Sequence, residues 1–571
     1  MRRNLVCLPI PFAVLICCLV ANAKAPVARL ISPPGAVVST DLSPSQLESQ
    51  IARLAADGVP AIRARFDRCL IERQRGKYDW QKTDVLARAA AKHRLALVVT
   101  LTGTPPWASW GSKGLKDDVR KRRVPADWTC YRAYVKAAAL RYRKQVRGWQ
   151  VWEQPNLPTF RGTQGDYLLL LTNTSQAVRA VDPKARIILS EPGGVDLGFV
   201  RRIAGGSARK AFNAIALYPG ELPPAALIRP LRVLRERVLG GSPIALYVAS
   251  WPALSQDGSA TAYGCAVATA LGVETAFVDQ GASGNAALPA SLRRASYLGA
   301  VSLAPEVPTL LLEDSNHQHT LMALTDRNED KIALSAPDCA GERGVICLNL
   351  EPKTAAQVRV TDVDGKAIAA THSAQDDAYA PRHGGLLVTD LPTDSFTQDI
   401  SPTPEPPCDR ALARAEEVRI SFGRDSKESG IYNEALRARS GGAVEAMTWR
   451  NRPCVCTRMS PDINQTNPWI YLDVGDCYAF YLEGKVPVEV VVEVAEVDSP
   501  ESAGFNLCYD SVTGYRFSDW QWVNAGKGWH KYRFTLNDAS FANRAGYDLR
   551  INAAGSKEDI KVASVTIRKL T

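Results

Sequence analysis

The run WQKTDVLARAAAKHRLALVVTL, Trp80 to Leu101, carries the pattern that decides the fold. Trp80 to Arg94 has a helical period, and Leu95 to Leu101 is a short apolar strand. An apolar strand fed by a helix is the repeating unit of a parallel sheet covered by helices. The unit recurs on both sides. Upstream, Ser43 and Ser45 are placed to cap a helix running through Ala56, and Val59 to Phe66 reads as a strand. Downstream, a helix over Trp128 to Arg143 leads into Gly148 to Trp152, and a helix over Tyr167 to Ala180 leads into Arg186 to Leu189. Phe212 to Leu217, Ile244 to Val248 and Val273 to Val278 continue the series. About eight such units fit an α/β chain closed into a (β/α)8 TIM barrel, in which function sits at the C-terminal ends of the strands.

Beyond the barrel the period changes from helical to alternating. Leu321 to Thr325, Gly344 to Leu350, Gln357 to Thr361 and Gly385 to Thr389 are short strands joined by Asp, Gly and Asn turns. They predict a small antiparallel β domain. Ser401 to Pro407 is a stiff Pro-rich linker. From Glu416 onward strands such as Val486 to Val497 alternate, which predicts a C-terminal β-sandwich. The expected organisation is therefore a leader over 1–23, a barrel over 24–303, a small β-sandwich domain over 304–400, a linker over 401–415 and a last sandwich over 416–571.

Composition limits the class of function. The chain has 571 residues, of which 46% are hydrophobic and 22% charged, so it is globular and has more than one core. Its net charge is +10, but the densest basic stretch, KDDVRKRR from Lys116 to Arg123, is short and broken by acids. That reads as a solvated face, and no nucleic-acid partner is expected. Arg2 and Arg3 precede an apolar run from Leu5 to Val20 that ends in Ala21-Asn22-Ala23. This is the form of a secretory signal cut after Ala23, so a secreted, periplasmic or cell-surface location is expected. No later stretch is apolar enough to predict a membrane span.

Three of the thirteen cysteines, Cys7, Cys17 and Cys18, lie in that leader. Cys339 and Cys347 are candidates for one disulfide, and Cys454, Cys456, Cys477 and Cys508 for others, with buried free thiols as the alternative. Cys454 and Cys456 lack a second ligand pair at zinc spacing, so no metal is expected, and nothing points to another cofactor. His317 and His319 share a strand face and are read as surface residues.

Five motifs occur in one order along the barrel. Arg63 precedes Ile71-Glu72-Arg73-Gln74-Arg75-Gly76-Lys77-Tyr78-Asp79-Trp80. Thr104-Pro105-Pro106-Trp107-Ala108-Ser109 follows the Leu95 to Leu101 strand, and Val151-Trp152-Glu153-Gln154-Pro155-Asn156-Leu157 follows the next. Phe160 with Tyr167, then Val181-Asp182-Pro183, complete the set. In this order they resemble retaining glycoside hydrolases of clan A, the group holding β-xylosidases, α-L-iduronidases and bacterial exopolysaccharide endoglycosidases. The resemblance covers about Leu47 to Asp279 and implies a TIM barrel acting on O-glycosyl bonds.

A retaining glycosidase uses two carboxyl groups ~5–5.5 Å apart, one as acid/base and one as nucleophile. The resemblance places the acid/base at the Glu of a "WNEPN" stretch and the nucleophile at a Glu ending strand seven. Here Gln154 occupies the first position and Glu153 that of the preceding Asn. Strand seven, Ile244-Ala245-Leu246-Tyr247-Val248-Ala249-Ser250-Trp251, contains no carboxylate, and Ser250 is the degenerate nucleophile position. In Leu217-Tyr218-Pro219-Gly220 the family's preceding His is replaced by Ala216. A glutamine amide hydrogen-bonds a sugar but supplies no catalytic proton.

Two readings follow. In the first, the barrel binds a polysaccharide or oligosaccharide without efficient hydrolysis, a pseudoenzyme. Trp107, Trp152, Tyr218 and Trp251 would then line the cleft, with Arg63, Glu153, Gln154, Asn156 and Ser250 as polar contacts. In the second, the protein is an active hydrolase using displaced carboxylates, Glu153 with Glu191 or Asp279. Glu153 is thus either a catalytic acid or a structural and binding carboxylate. Trp520 and Trp522 alternate by two in the last sandwich, and are a sugar platform if exposed and core if buried. Oligomeric state is not legible.

Overall fold

The computed structural model describes residues 29–30, 33–111, 114–190, 192–220, 227–251, 259–279, 296–301, 309–313, 319–324, 331–333, 345–347, 358–362, 367, 371–372, 377–379, 385–391, 400–401, 410–423, 426–433, 445–460, 466–544 and 547–570. The leader, Glu191, His317, Cys339 and residues 402–409 of the Pro-rich linker lie outside the described residues.

Eight parallel strands close a barrel. In order they are Gly35–Val38, Ala61–Asp67, Ala96–Thr102, Val146–Val151, Ile187–Leu189, Ala214–Leu217, Ala245–Trp251 and Val273–Asp279. The first strand escaped the periodic pattern because Pro33, Pro34 and Gly35 at its start read as a turn. Its Gly35 is required by close approach, since a Cβ there would stand 2.5 Å from the Phe277 ring on strand eight. Ser43 caps the first covering helix, Pro44–Ala56, in a capping box with Gln46, which accounts for where that helix begins.

The strands alternate between two interiors. Ala61, Val98, Ile188, Ala214, Ala216, Tyr247, Ala249 and Phe277 fill the barrel, while Ile62, Ala64, Phe66 and their equivalents pack outward under the helices. Small residues dominate the inner set, and this leaves room for the polar side chains Arg63, Thr100 and Gln150, all buried.

The small β domain draws on both sides of its expected boundary. Its larger sheet joins Arg29–Leu30 and Ser296–Val301 to Thr309–Glu313, His319–Leu324, Gly385–Leu391 and Arg359–Asp362, all antiparallel, with Ile400–Ser401 on Ser296–Val301. Leu310, Leu312 and Met322 of this sheet merge with the barrel's core. A second sheet contains a parallel pair, Lys331–Ala333 with Val345–Cys347, where only antiparallel pairing was expected. His319, expected at the surface, is buried because its strand is interior to the larger sheet.

The C-terminal sandwich stacks a seven-stranded and a six-stranded sheet. Val488, Val490, Val492 and Val494 all face its core, as strict alternation requires. Cys454, Cys456, Cys477 and Cys508 are free thiols rather than disulfides. Among the described residues no helix is long and apolar enough to cross a membrane.

The sandwich docks on the barrel through buried charge. Arg544 donates to Asp196 on the barrel at 2.7 Å and to Asp510 on the sandwich at 2.9 Å, with side chains at most 7% exposed. Nearby, Arg229 of the barrel pairs with Asp476 of the sandwich at 3.4 Å. Burial raises the Asp476 carboxyl from 3.8 to about 6, opposed by Arg229 and the Asn543 amide. A carboxyl raised on folding binds its proton more tightly in the folded chain, so stability falls as pH rises through that window. Burial raises Asp510 and Asp548 in the same sense. In urea unfolding, the stability of the wild type relative to Asp476→Asn is therefore expected to fall as pH rises from 3.8 to about 6. A difference that does not change with pH would place the shift elsewhere.

Candidate functional site

The second barrel strand reads Ala61-Ile62-Arg63-Ala64-Arg65, and its period of two turns Arg63 and Arg65 to the same side. Arg63 is buried and Arg65 sits nearer the mouth with its side chain 64% exposed. Both meet Glu153, just past the end of strand four. Arg63 Nη2 donates to Glu153 Oε1 at 2.8 Å, and Arg65 Nη2 to Oε2 at 2.7 Å. Each carboxylate oxygen is thus occupied by a guanidinium.

Arg63 reaches two further strands. Its Nε donates to Gln150 Oε1 of strand four at 3.2 Å, and its Nη1 to the Ala249 carbonyl of strand seven at 3.1 Å. Gln150 in turn donates to the Trp152 carbonyl at 3.2 Å, which also accepts from Ser190 Oγ at 2.8 Å. The Tyr167 hydroxyl donates to the Val151 carbonyl and accepts from the Ser190 amide. Sequence reasoning missed Arg65, Gln150 and Ser190. The Arg-Ala-Arg alternation was the available signal for the first.

Strand four ends in a sharp turn. Trp152 and Gln154 have φ of +69° and +41°, a left-handed backbone that non-glycine residues adopt only where surroundings impose it. The turn is held by Thr159 Oγ1 donating to the Gln154 carbonyl at 2.9 Å and by the Leu157 amide to the same carbonyl. Gln154 is half-buried.

At strand seven the register slips between Val248 and Trp251 against strand eight. Ser250 is buried there and donates to Asp279 Oδ2. Asp279 ends strand eight and so joins the mouth beside the end of strand seven. Arg63 links Glu153 to this corner through Ala249.

The four expected aromatics divide. Trp251 is 1% exposed and points into the helical layer, where Gly264 makes room for its ring. Trp152 is 4% exposed, edge-on to Phe160, with its indole N–H on the Thr159 carbonyl. Tyr218 is half-buried beside Gly193 and Gly194. Trp107 is 39% exposed and anchored by its N–H on the Glu72 carbonyl at 3.1 Å, with the Arg68 guanidinium 5.5 Å from its ring. Trp110, which sequence reasoning passed over, is 63% exposed.

Asn156 spends its amide on structure. It accepts from the Gly193 amide at 2.7 Å and donates to the Gly193 carbonyl and to Asp196 Oδ2, tying the loop after strand four to the loop after strand five. In the last sandwich Trp522 is 45% exposed, while Trp520 is half-buried edge-on to it and packed on Gly504. Among the described residues no cluster of three His, Cys, Asp or Glu side chains is placed to hold a metal.

No family model matches this chain, and no curated protein does. Structural neighbours are barrel glycoside hydrolases of low sequence identity. A family 39 glycoside hydrolase from the gut symbiont Bacteroides cellulosilyticus WH2 is similar with TM-score 0.47 and 13% identity, over 63% of this chain and 81% of that one. A family 39 β-xylosidase from Caulobacter crescentus gives 0.39 and 16%, over 65% and 98%. The catalytic domain of a family 30 xylanase C from Talaromyces cellulolyticus gives 0.40 and 12%, over 64% and 98%.

Removing Glu153 would leave Arg63 buried beside a vacant carboxylate position. Glu153→Ala is expected to lower stability by about 3 kcal/mol, the lower end for breaking a buried pair, whereas Arg65→Ala, at the exposed end, should cost less than about 1 kcal/mol. Urea titration of the two variants checks the ranking. Equal losses would mean Arg63 is not held by this carboxylate.

Proposed function

We propose that this protein is an exported, glycosidase-like glycan-binding protein in which retaining hydrolysis has been lost. The observation that carries the reading is Glu153, whose two oxygens are both engaged by arginines. An oxygen receiving a guanidinium N–H is poorly placed to deliver a proton to a leaving group. The neighbouring position is an amide, Gln154, and strand seven offers a hydroxyl, Ser250, already donating to Asp279. General acid catalysis alone is worth about 10²–10⁴-fold, so this arrangement supports little turnover.

Binding needs none of those protons. An exposed indole face at Trp107, the half-buried Tyr218 and Gln154, and the outer guanidinium of Arg65 suit the C–H faces and hydroxyls of a saccharide. Aromatic rims at the strand ends of a closed barrel favour this over a purely structural barrel.

A second reading is favoured by one contact: Asp279 lies against Ser250 at the nucleophile corner. In that reading Glu153 with Asp279, or with Glu191, forms a displaced pair.

The purified protein is expected to bind oligosaccharides in isothermal titration while releasing no chromophore from aryl glycosides. Trp107→Ala should weaken binding by about tenfold through loss of one aromatic contact. Turnover that disappears in Asp279→Asn would establish the displaced pair and refute the pseudoenzyme. Export predicts a mature chain starting at Lys24, read by N-terminal sequencing of material from the periplasm or medium.

A further inference from the structure

The loops leaving strands three and four enclose a cleft of about 960 Å³ with the helix Leu197–Ala204 and the sandwich residue Thr513. Arg63, Glu153 and Ser250 do not line it, whereas Pro155 and Asn156 of the turn after strand four do, so it adjoins the barrel mouth on its outer side. Its size is at the top of the ~300–1,000 Å³ range of ligand pockets, room for an oligosaccharide rather than a single ring.

Its charge is one-sided. Arg123, Arg161 and Arg202 face Asp166 as the lone lining carboxylate. Asp166 Oδ2 already accepts from the Thr163 amide and hydroxyl, both at 2.8 Å, in the capping box of the helix Gln164–Arg179. Arg123 Nη1 donates to the Trp110 carbonyl at 3.1 Å, and Arg202 donates to Gln164 Oε1 and the Val512 carbonyl, each at 2.8 Å. Neutral acceptors thus hold two of the guanidiniums in place without cancelling their charge. Arg161 is exposed, and its amide donates to the Arg122 carbonyl at 2.7 Å, clamping the two loops together. Among the described residues none of the three has a carboxylate within ion-pair distance. Upstream in the same loop Asp117 and Asp118 pair with Arg120 and Arg122, so the acids of the basic stretch are spent on its other arginines.

Beside these cations stands Trp110, 63% exposed, on the turn that Arg123 pins. Planar guanidiniums that match carboxylates, next to a free indole face that matches a pyranose C–H face, are the two halves of a uronate-recognising surface. We propose that this cleft between barrel and sandwich binds a carboxylated polysaccharide segment, an oligouronate. The proposal rests on the glycan-binding reading of the barrel and names the class of glycan.

The test uses the full chain, titrated calorimetrically with a hexameric oligouronate and with the same hexamer after carboxyl reduction. The charged hexamer is expected to bind at least about tenfold more tightly, with the advantage shrinking at high salt. Arg161→Glu should lose about tenfold for the charged hexamer and little for the reduced one. Trp110→Ala should weaken both. The two side chains are exposed, and thermal unfolding reports that each variant folds. Equal affinity for the two hexamers overturns the proposal, as does undiminished binding by Arg161→Glu. Equally tight binding of single-stranded RNA of matched charge also overturns it. If neutral oligosaccharides bind and respond to Trp107→Ala alone, the barrel reading stands and the cleft inference falls. If no saccharide of either kind binds, both fall.

Discussion

A charged guanidinium inside a barrel sets the terms for everything at its mouth. Arg63 is 4% exposed, and an unpaired cation there would be costly, so strands across the barrel supply acceptors. Gln150 and Glu153 come from the fourth strand and the Ala249 carbonyl from the seventh. The same two strands bear a retaining glycosidase's working carboxylates. In this chain Glu153, just past the fourth strand, neutralises Arg63 and Arg65, so the mouth is built around a fixed ion cluster.

That cluster is continuous with the rest of the molecule. The turn carrying Glu153 and Gln154 is tied through Asn156 to Asp196, which caps the helix Leu197–Ala204 and accepts from Arg544 of the last sandwich. Arg544 also meets Asp510, so a chain of buried polar contacts runs from the barrel's fourth loop into the sandwich core. Such networks hold their geometry because each member is satisfied only when the others are in place. The terminal sandwich is therefore a structural partner of the mouth as well as a separate β unit.

Much of the barrel was legible because its strands from the second to the eighth are apolar runs separated by helical periods. Gly35–Val38 was not, because the proline pair before it and its own Gly35 read as a turn. The parallel pair in the small β domain was equally silent, since alternation is the same for either direction of pairing. At the site, motif order located the turn after the fourth strand, but residue type alone did not tell exposed from buried aromatics. Trp251 ends strand seven, and Trp107 lies in the loop after strand three. A slipped register sends one ring under a helix, whereas a loop carries the other to solvent. Asn156 was taken for a sugar contact because amides suit hydroxyls, yet the backbone of Gly193 claims it first. Arg65 and Glu153 meet because the closed barrel brings the second strand and the turn after the fourth to the same mouth, a pairing that sequence separation hides.

The Arg544 bridge has a consequence for the groove beside it. One wall belongs to the barrel loops and the other includes Thr513, next to Ser511, whose carbonyl Arg544 also holds. The separation of the two walls is therefore set by desolvated charge-charge contacts between barrel and sandwich, not by the surface loops alone.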